Sequence, residues 1–317
     1  MSQYNKFSQE ALTKFLEFYN LGVFRELVEE SRDDASQNYI VYTSRGRFSL
    51  MVFDDRAWSD RTTCCVDLLD HLAQRKFPCR KPISRSDGSL YGRLEDGYAA
   101  VSNYPEGAPV TEVTSDLCAD IGNVLAQLHN SGTDFQGQRR SALNPADWSH
   151  IAERVSCAAS YEIAQTIHEE LEFLRPRWPQ NLPANIIHGQ LTPHRVLING
   201  DNISLVMGLE TACNDMWALD LAMCLSAWCF ETNGAFNLTK SCKLLQSYYK
   251  ARKSISADEL EALPVLARGA ALDRLLKTLS SGTTQNNSHS SCELGQCMDV
   301  LRFHQMVDGA ESYGLAT

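Results

Sequence analysis

The strongest constraint on this chain is a change of period at Asn103-Tyr104-Pro105-Glu106-Gly107. Ahead of it the apolar residues alternate. Asn38-Tyr39-Ile40-Val41-Tyr42 and Arg47-Phe48-Ser49-Leu50-Met51-Val52-Phe53 read as the arms of a hairpin, with Ser44-Arg45-Gly46 as the turn. One amphipathic helix, Ser59 to Arg75, interrupts them. Strand-like pieces follow at Lys81-Pro82-Ile83, Ser89-Leu90-Tyr91 and Tyr98–Ser102. Beyond the Pro/Gly segment the spacing is helical over 115–130, 147–159, 164–173, 216–230, 240–251, 257–279 and about 295–309, save for a loop-and-strand block at 186–211. Such an order is β-β-α-β-β-β and then helices. It predicts an α+β fold of two lobes: a small antiparallel β-sheet lobe over 1–103, and a larger, mainly helical lobe over 104–317, with 103–107 as the hinge. The polar run Ser280–Ser291 reads as a loop.

Within the helical part, His188-Gly189-Gln190-Leu191-Thr192-Pro193-His194-Arg195 lies between two apolar runs, Asn185–Ile187 and Val196–Ile198, and reads as a tight loop between buried strands. Kinase-type phosphoryl transfer uses such a loop with the pattern His-x-Asp-x-x-x-x-Asn, followed by a strand ending in a metal-binding Asp. His188 fits the first position. The proton-accepting position holds Gln190, an amide without useful basicity. The Asn position holds Arg195, a fixed cation that repels Mg²⁺, and the metal Asp position holds Gly208. Further on, Asp220 is the only charged residue from Met216 to Phe230. A carboxylate in so apolar a helix must be hydrogen-bonded, and the backbone of the 188–195 loop is the expected donor. Asp220 is therefore read as a brace for the loop, and His188 as part of its structure.

The stretch from 188 to 230, "HGQLTPHRVLINGDNISLVMGLETACNDMWALDLAMCLSAWCF", resembles bacterial homoserine kinases of the type related to aminoglycoside phosphotransferases and choline kinases. The likeness extends to "LTKFLEFYNLG" at 12–22, "NYIVYTSRGRFSLMVFD" at 38–54, "GAFNLTKSCKLLQSYYKAR" at 234–252 and "ALPVLARGAAL" at 262–272. It implies a protein-kinase-like fold. The departures fall on the chemistry: Gln190, Arg195 and Gly208 stand where the family has its catalytic Asp, metal Asn and metal Asp. The family's phosphate loop, expected between the first helix and the first strand, corresponds here to residues 29–39. No glycine occurs between Gly22 and Gly46, and Glu29, Glu30, Asp33 and Asp34 bring four carboxylates where the phosphates of ATP would lie. Asp33 and Asp34 thus mark a degenerate phosphate loop. Glu210, two residues beyond Gly208 and facing the same way on an extended chain, is the substitute available for the metal Asp.

Three readings follow. One is a pseudokinase with a binding or regulatory role toward a protein partner or a small amino-acid-like ligand, with no cofactor. Another is a divergent active kinase of homoserine or a similar hydroxyl-bearing metabolite, using ATP and Mg²⁺. A third is an amino-acid-like ligand-binding module without nucleotide. The formal net charge of −10 excludes nucleic acid and anionic membrane as main partners. The N-terminus carries no signal-like apolar core, and the expected location is the cytoplasm, which makes the 11 cysteines thiols. Their spacing forms no metal motif, and Cys224 and Cys229 read as core filler.

Overall fold

The computed structural model describes residues 7–32, 36–54, 60–157, 159–252, 255–282 and 290–315. The chain divides into two compact units, one of 1–109 with 135–139 and 196–210, the other of 110–134, 140–195 and 211–317.

The first unit opens with α1 (Gln9–Leu16), capped by Ser8, whose hydroxyl accepts the Ala11 N–H. It continues through β1 (Phe24–Arg32), β2 (Ser36–Thr43), β3 (Gly46–Asp54), α2 (Asp60–Gln74), β4 (Gly92–Leu94) and β5 (Gly97–Asn103). These strands form one antiparallel sheet in the order β1-β2-β3-β5-β4. One face packs on α1: Tyr39, Val41, Leu50, Val52, Ala99 and Val101 bury against Leu12, Phe15 and Leu16.

Several expectations are corrected here. A strand, β1, precedes the expected first hairpin. It is an edge strand on which Arg25, Glu26, Val28 and Glu29 are exposed, so the alternation that marks a half-buried strand is absent. Residues 29–32 therefore lie on β1 and 36–39 on β2, not between a helix and the first strand. Asp33 and Asp34 lie outside the described residues. The strand expected at 89–91 begins at Gly92, and Lys81-Pro82-Ile83 makes only an isolated bridge, Pro82 to Ser102, since Pro82 has no N–H to extend a ladder. Directly after the expected hinge, β6 (Ala108–Pro109) pairs with the later strand β8 (Val196–Asn199), which keeps this segment with the sheet unit.

The second unit contains α3 (Ser115–Gly132), α4 (Pro145–Val155), α5 (Tyr161–Leu174) and β7 (Ala184–Ile187). The chain then gives β8 (Val196–Asn199) and β9 (Asn202–Val206) to the first unit. It returns with β10 (Cys213–Met216), α6 (Trp217–Trp228), α7 (Leu238–Arg252), α8 (Ala257–Gly282) and α9 (Ser290–Gln305). β7 and β10 pair antiparallel. The long α8 lies against α4, α5, α6 and α9. Part of the expected 280–291 loop is helical. Ser280 and Ser281 close α8 by bonding back to the Leu276 and Lys277 carbonyls at 2.9 and 3.0 Å, Ser290 and Ser291 open α9, and 283–289 lie outside the described residues. All 11 cysteines are free thiols, with Cys224 and Cys229 buried. Among the described residues no helix is long and apolar enough to cross a membrane.

α3 and α7 approach closely because Gly122 presents no side chain: a Cβ there would lie 3.0 Å from the Tyr248 nitrogen and closer still to the Leu244 carbonyl oxygen. Both contacts are backbone and cannot rotate away. The Gly122→Ala variant is expected to lose about 1–3 kcal/mol, the usual cost of overpacking, as a lower urea midpoint.

Candidate functional site

The loop 188–195 leaves β7, passes through residues 188–192, and enters a single 3-10 turn, Pro193–Arg195, before β8. Asp220, in the first turn of α6, is completely buried. Its Oδ2 accepts the His188 backbone N–H at 2.7 Å and its Oδ1 the Gly189 N–H at 2.9 Å. The same Oδ2 lies 3.1 Å from His129 Nε2 on α3. His129 Nδ1 meets the Tyr248 hydroxyl at 2.8 Å. Arg252 donates to that hydroxyl at 3.1 Å and to Glu259 at 2.6 Å. Trp228 Nε1 donates to the Leu191 carbonyl at 2.8 Å. One buried network thus ties the loop to α3, α6, α7 and α8.

Burial works against the Asp220 charge, but the hydrogen bonds from His129 and from the His188 backbone N–H outweigh it and hold the carboxyl below its ordinary range. Burial also dominates at His129, which is pushed down despite Asp220. The pair is therefore a carboxylate beside a neutral imidazole. The proton sits on Nε2, facing Asp220, and Nδ1 accepts from Tyr248.

At the remaining loop positions the geometry is different in kind. The Gln190 N–H donates to His188 Nδ1 at 3.3 Å, and the Gln190 side-chain Oε1 accepts from Arg195 Nη2 at 3.4 Å. The loop thus brings Gln190 and Arg195 together, an amide facing a guanidinium. Gly208 (φ +88°) and Glu210 lie in the other unit. Glu210 sits in a 3-10 turn, Leu209–Thr211, whose carbonyl at Glu210 accepts from Arg139. The extended geometry expected to aim Glu210 like residue 208 is therefore absent, because a turn rotates successive side chains by about 120°. Among the described residues no group of three His, Cys, Asp or Glu side chains is arranged to hold a metal ion, and Arg195 and Gly208 do not fit Mg²⁺ as ligands.

A cavity of about 640 Å³ opens beside the loop within the same unit, lined by residues 189–194 and by Ser226, Asp273, Arg274, Lys277 and Gln296 among others. Asp273 is fixed by Trp148 Nε1 at 3.1 Å and by Lys277 at 2.7 Å, and Arg274 donates to the Ser226 carbonyl at 3.4 Å. The wall carries both signs of charge at a size suited to a small metabolite. Behind it, the Ser226 hydroxyl meets His304 Nε2 at 3.0 Å, and burial pushes His304 down to about 3. Neither His129 nor this cavity is expected from the sequence alone. His129 offered one signal, a lone titratable group inside the apolar stripe of α3. The cavity offered none, since its walls come from helices far apart in the chain.

The model of the phosphotransferase enzyme family matches residues 28–252. A homoserine kinase of Sinorhizobium fredii is 34% identical over 321 residues, covering 99% of this chain and 98% of that protein. A homoserine kinase of Methylocella silvestris is 40% identical over 276 residues, 86% of this chain and 85% of the other. Among solved structures, the amicoumacin kinase hAmiN in complex with AMP-PNP, Ca²⁺ and Ami superposes with a TM-score of 0.69 at 12% identity, covering 95% of this chain and 98% of that one. An aminoglycoside phosphotransferase from Alicyclobacillus acidocaldarius gives 0.69 at 13% identity over 99% and 97%. These likenesses give the fold: a kinase-like α+β fold with an antiparallel sheet part and a helical part.

Two measurements test the network. Asp220→Ala leaves three buried donors without an acceptor, and an expected loss of about 3–5 kcal/mol is read by urea unfolding. Amide exchange should show lost protection at His188 and Gly189. In acid, the unfolded chain takes up protons near the ordinary His value of about 6.5 that the folded His129 and His304 refuse. Stability is therefore present above that value and falls as pH drops below it, by about 1.4 kcal/mol per pH unit for each group. Asp220, held low, adds its own loss only as pH falls through its depressed value. Thermal unfolding across this range should show the slope, and His304→Gln should reduce it by one proton.

Proposed function

The chain belongs to the phosphotransferase enzyme family, and from that premise we propose that it is a homoserine-kinase-like pseudokinase of the cytoplasm, which keeps the braced loop and the neighbouring cavity for a small amino-acid-like ligand without efficient phosphoryl transfer. One observation carries the reading: Gln190, at the loop's proton-accepting position, faces Arg195 with Oε1 and Nη2 3.4 Å apart. An amide takes no proton from an acceptor hydroxyl, and loss of a general base alone costs about 10²–10⁴-fold in rate. Arg195 places a permanent cation where a metal ligand is required, and Gly208 supplies no side-chain oxygen at the second metal position. The cavity supports the binding half of the reading: Lys277 and Arg274 suit a carboxylate, and Asp273 suits an ammonium group.

A second reading, an active kinase using ATP and Mg²⁺, is favoured by the relatives named homoserine kinase, whose 34% identity runs over 99% of this chain. It needs Arg195 to contact phosphate directly and Glu210 to serve as metal ligand, and the turn at Leu209–Thr211 supports it poorly.

Calorimetric titration with homoserine alone should give saturable binding. Lys277→Ala should weaken it about tenfold, as expected for one charge-assisted hydrogen bond of about 1.5 kcal/mol. With ATP, Mg²⁺ and homoserine the protein should release no ADP above the rate in buffer. Stoichiometric formation of phosphorylated homoserine would establish the active kinase in its place.

A further inference from the structure

In the first unit, β1 carries a bulge between the pairs Glu29–Tyr39 and Ser31–Asn38, and the extra residue is Glu30. A bulge re-aims the side chain it carries. Here the Glu30 carboxylate is directed at Arg80, on the segment after α2, whose Nη2 reaches both oxygens at 2.8 and 2.7 Å. The Tyr104 hydroxyl donates to Glu30 Oε1 at 2.8 Å. Arg80 Nη1 donates to the Ser49 hydroxyl on β3 at 2.9 Å, and its Nη2 touches the Met207 sulfur at 4.0 Å. The guanidinium carbons of Arg80 and Arg47 lie 5.2 and 4.8 Å from the centre of the Tyr104 ring. Arg80 is 8% exposed and Ser49 1%.

In the kinase architecture the nucleotide lies beneath the β1–β2 hairpin against β3, whose lysine meets the phosphates. The residues of β3 on the Ser49 face, Arg47, Ser49 and Met51, include no lysine. The space between β1 and β3 is spanned by the chain's own ion pair. The carboxylate is paired with Arg80 Nη2, while Arg80 Nε is buried without a hydrogen-bond partner; opening the pair strands a partly buried charge.

We propose that the β1–β3 face is closed by an internal ligand, the Glu30 carboxylate clasped by Arg80 and Tyr104, and that this clasp excludes a nucleotide. The inference goes beyond the loss of transfer: a loop without a base leaves nucleotide binding open, and the clasp closes it by a separate device on separate residues. The signal is distinct as well, since Glu30 acts here as an occupant of the face and not only as one of several repelling charges.

The test uses the full chain and adenosine, which carries no phosphate for the acidic hairpin to repel, with binding read by calorimetry and thermal shift. The wild type should show no saturable binding. The double variant Glu30→Ala/Arg80→Ala removes both charges and should bind adenosine at least tenfold more tightly than the wild type. A folded double variant that gains nothing overturns the proposal. If the double variant does not fold, Glu30→Gln decides: it keeps the shape and removes the charge that holds Arg80, so a gain in adenosine binding supports the clasp and no gain overturns it. Wild-type protein that binds adenosine without turnover overturns the clasp and leaves the proposed loss of transfer standing. Wild-type turnover of ATP overturns both.

Discussion

The buried carboxylate of Asp220 is the constraint on which the helical unit is organised. A charge with no exposure, on a helix otherwise apolar, is tolerable only if its oxygens are occupied. Two backbone N–H groups of the loop and one imidazole do this. Because the donors are backbone, they fix the path of His188 and Gly189 whatever side chains follow. Because His129 is held neutral and is itself bonded to Tyr248, the same charge reaches α7, and through Arg252 and Glu259 it reaches α8. Loop shape is therefore set by groups other than the side chains of Gln190 and Arg195.

That separation lets the side chains of the loop vary without changing its path. The brace does not involve the side chains of residues 190 and 195, so changing them leaves the loop path intact. The Gln190–Arg195 contact is a local substitution of an amide and a cation for a carboxylate and an amide. In the sheet unit, Glu30, Arg80, Tyr104 and Ser49 are likewise hydrogen-bonded to one another.

Much of the fold was legible because it is local. The hairpin arms of β2 and β3, the helices from α3 to α8 and the strand-loop-strand block at 186–211 follow from period and turn residues. β1 was not legible, since an edge strand with charges along its length has no alternation to read. The chain's polar 280–282 segment was misread as loop because serine composition suggested it, while back-bonding to i−4 carbonyls let the helix continue. At the site, the brace role of Asp220 could be argued from the cost of burying a charge. The bent path at Glu210 could not be, because a single 3-10 turn leaves no periodic trace.

By itself the sequence determined what the loop's functional groups can be: glutamine has no useful basicity and arginine keeps its charge in any fold. It also determined that Asp220 needs donors, since its neighbours along the helix provide none. The tertiary structure decided which donors those are. His129 lies 91 residues away, Arg80 lies 50 residues from Glu30, and the cavity walls are drawn from α6, α8 and α9. Pairings across such separations are set by how helices and strands pack in three dimensions, and no local period encodes them.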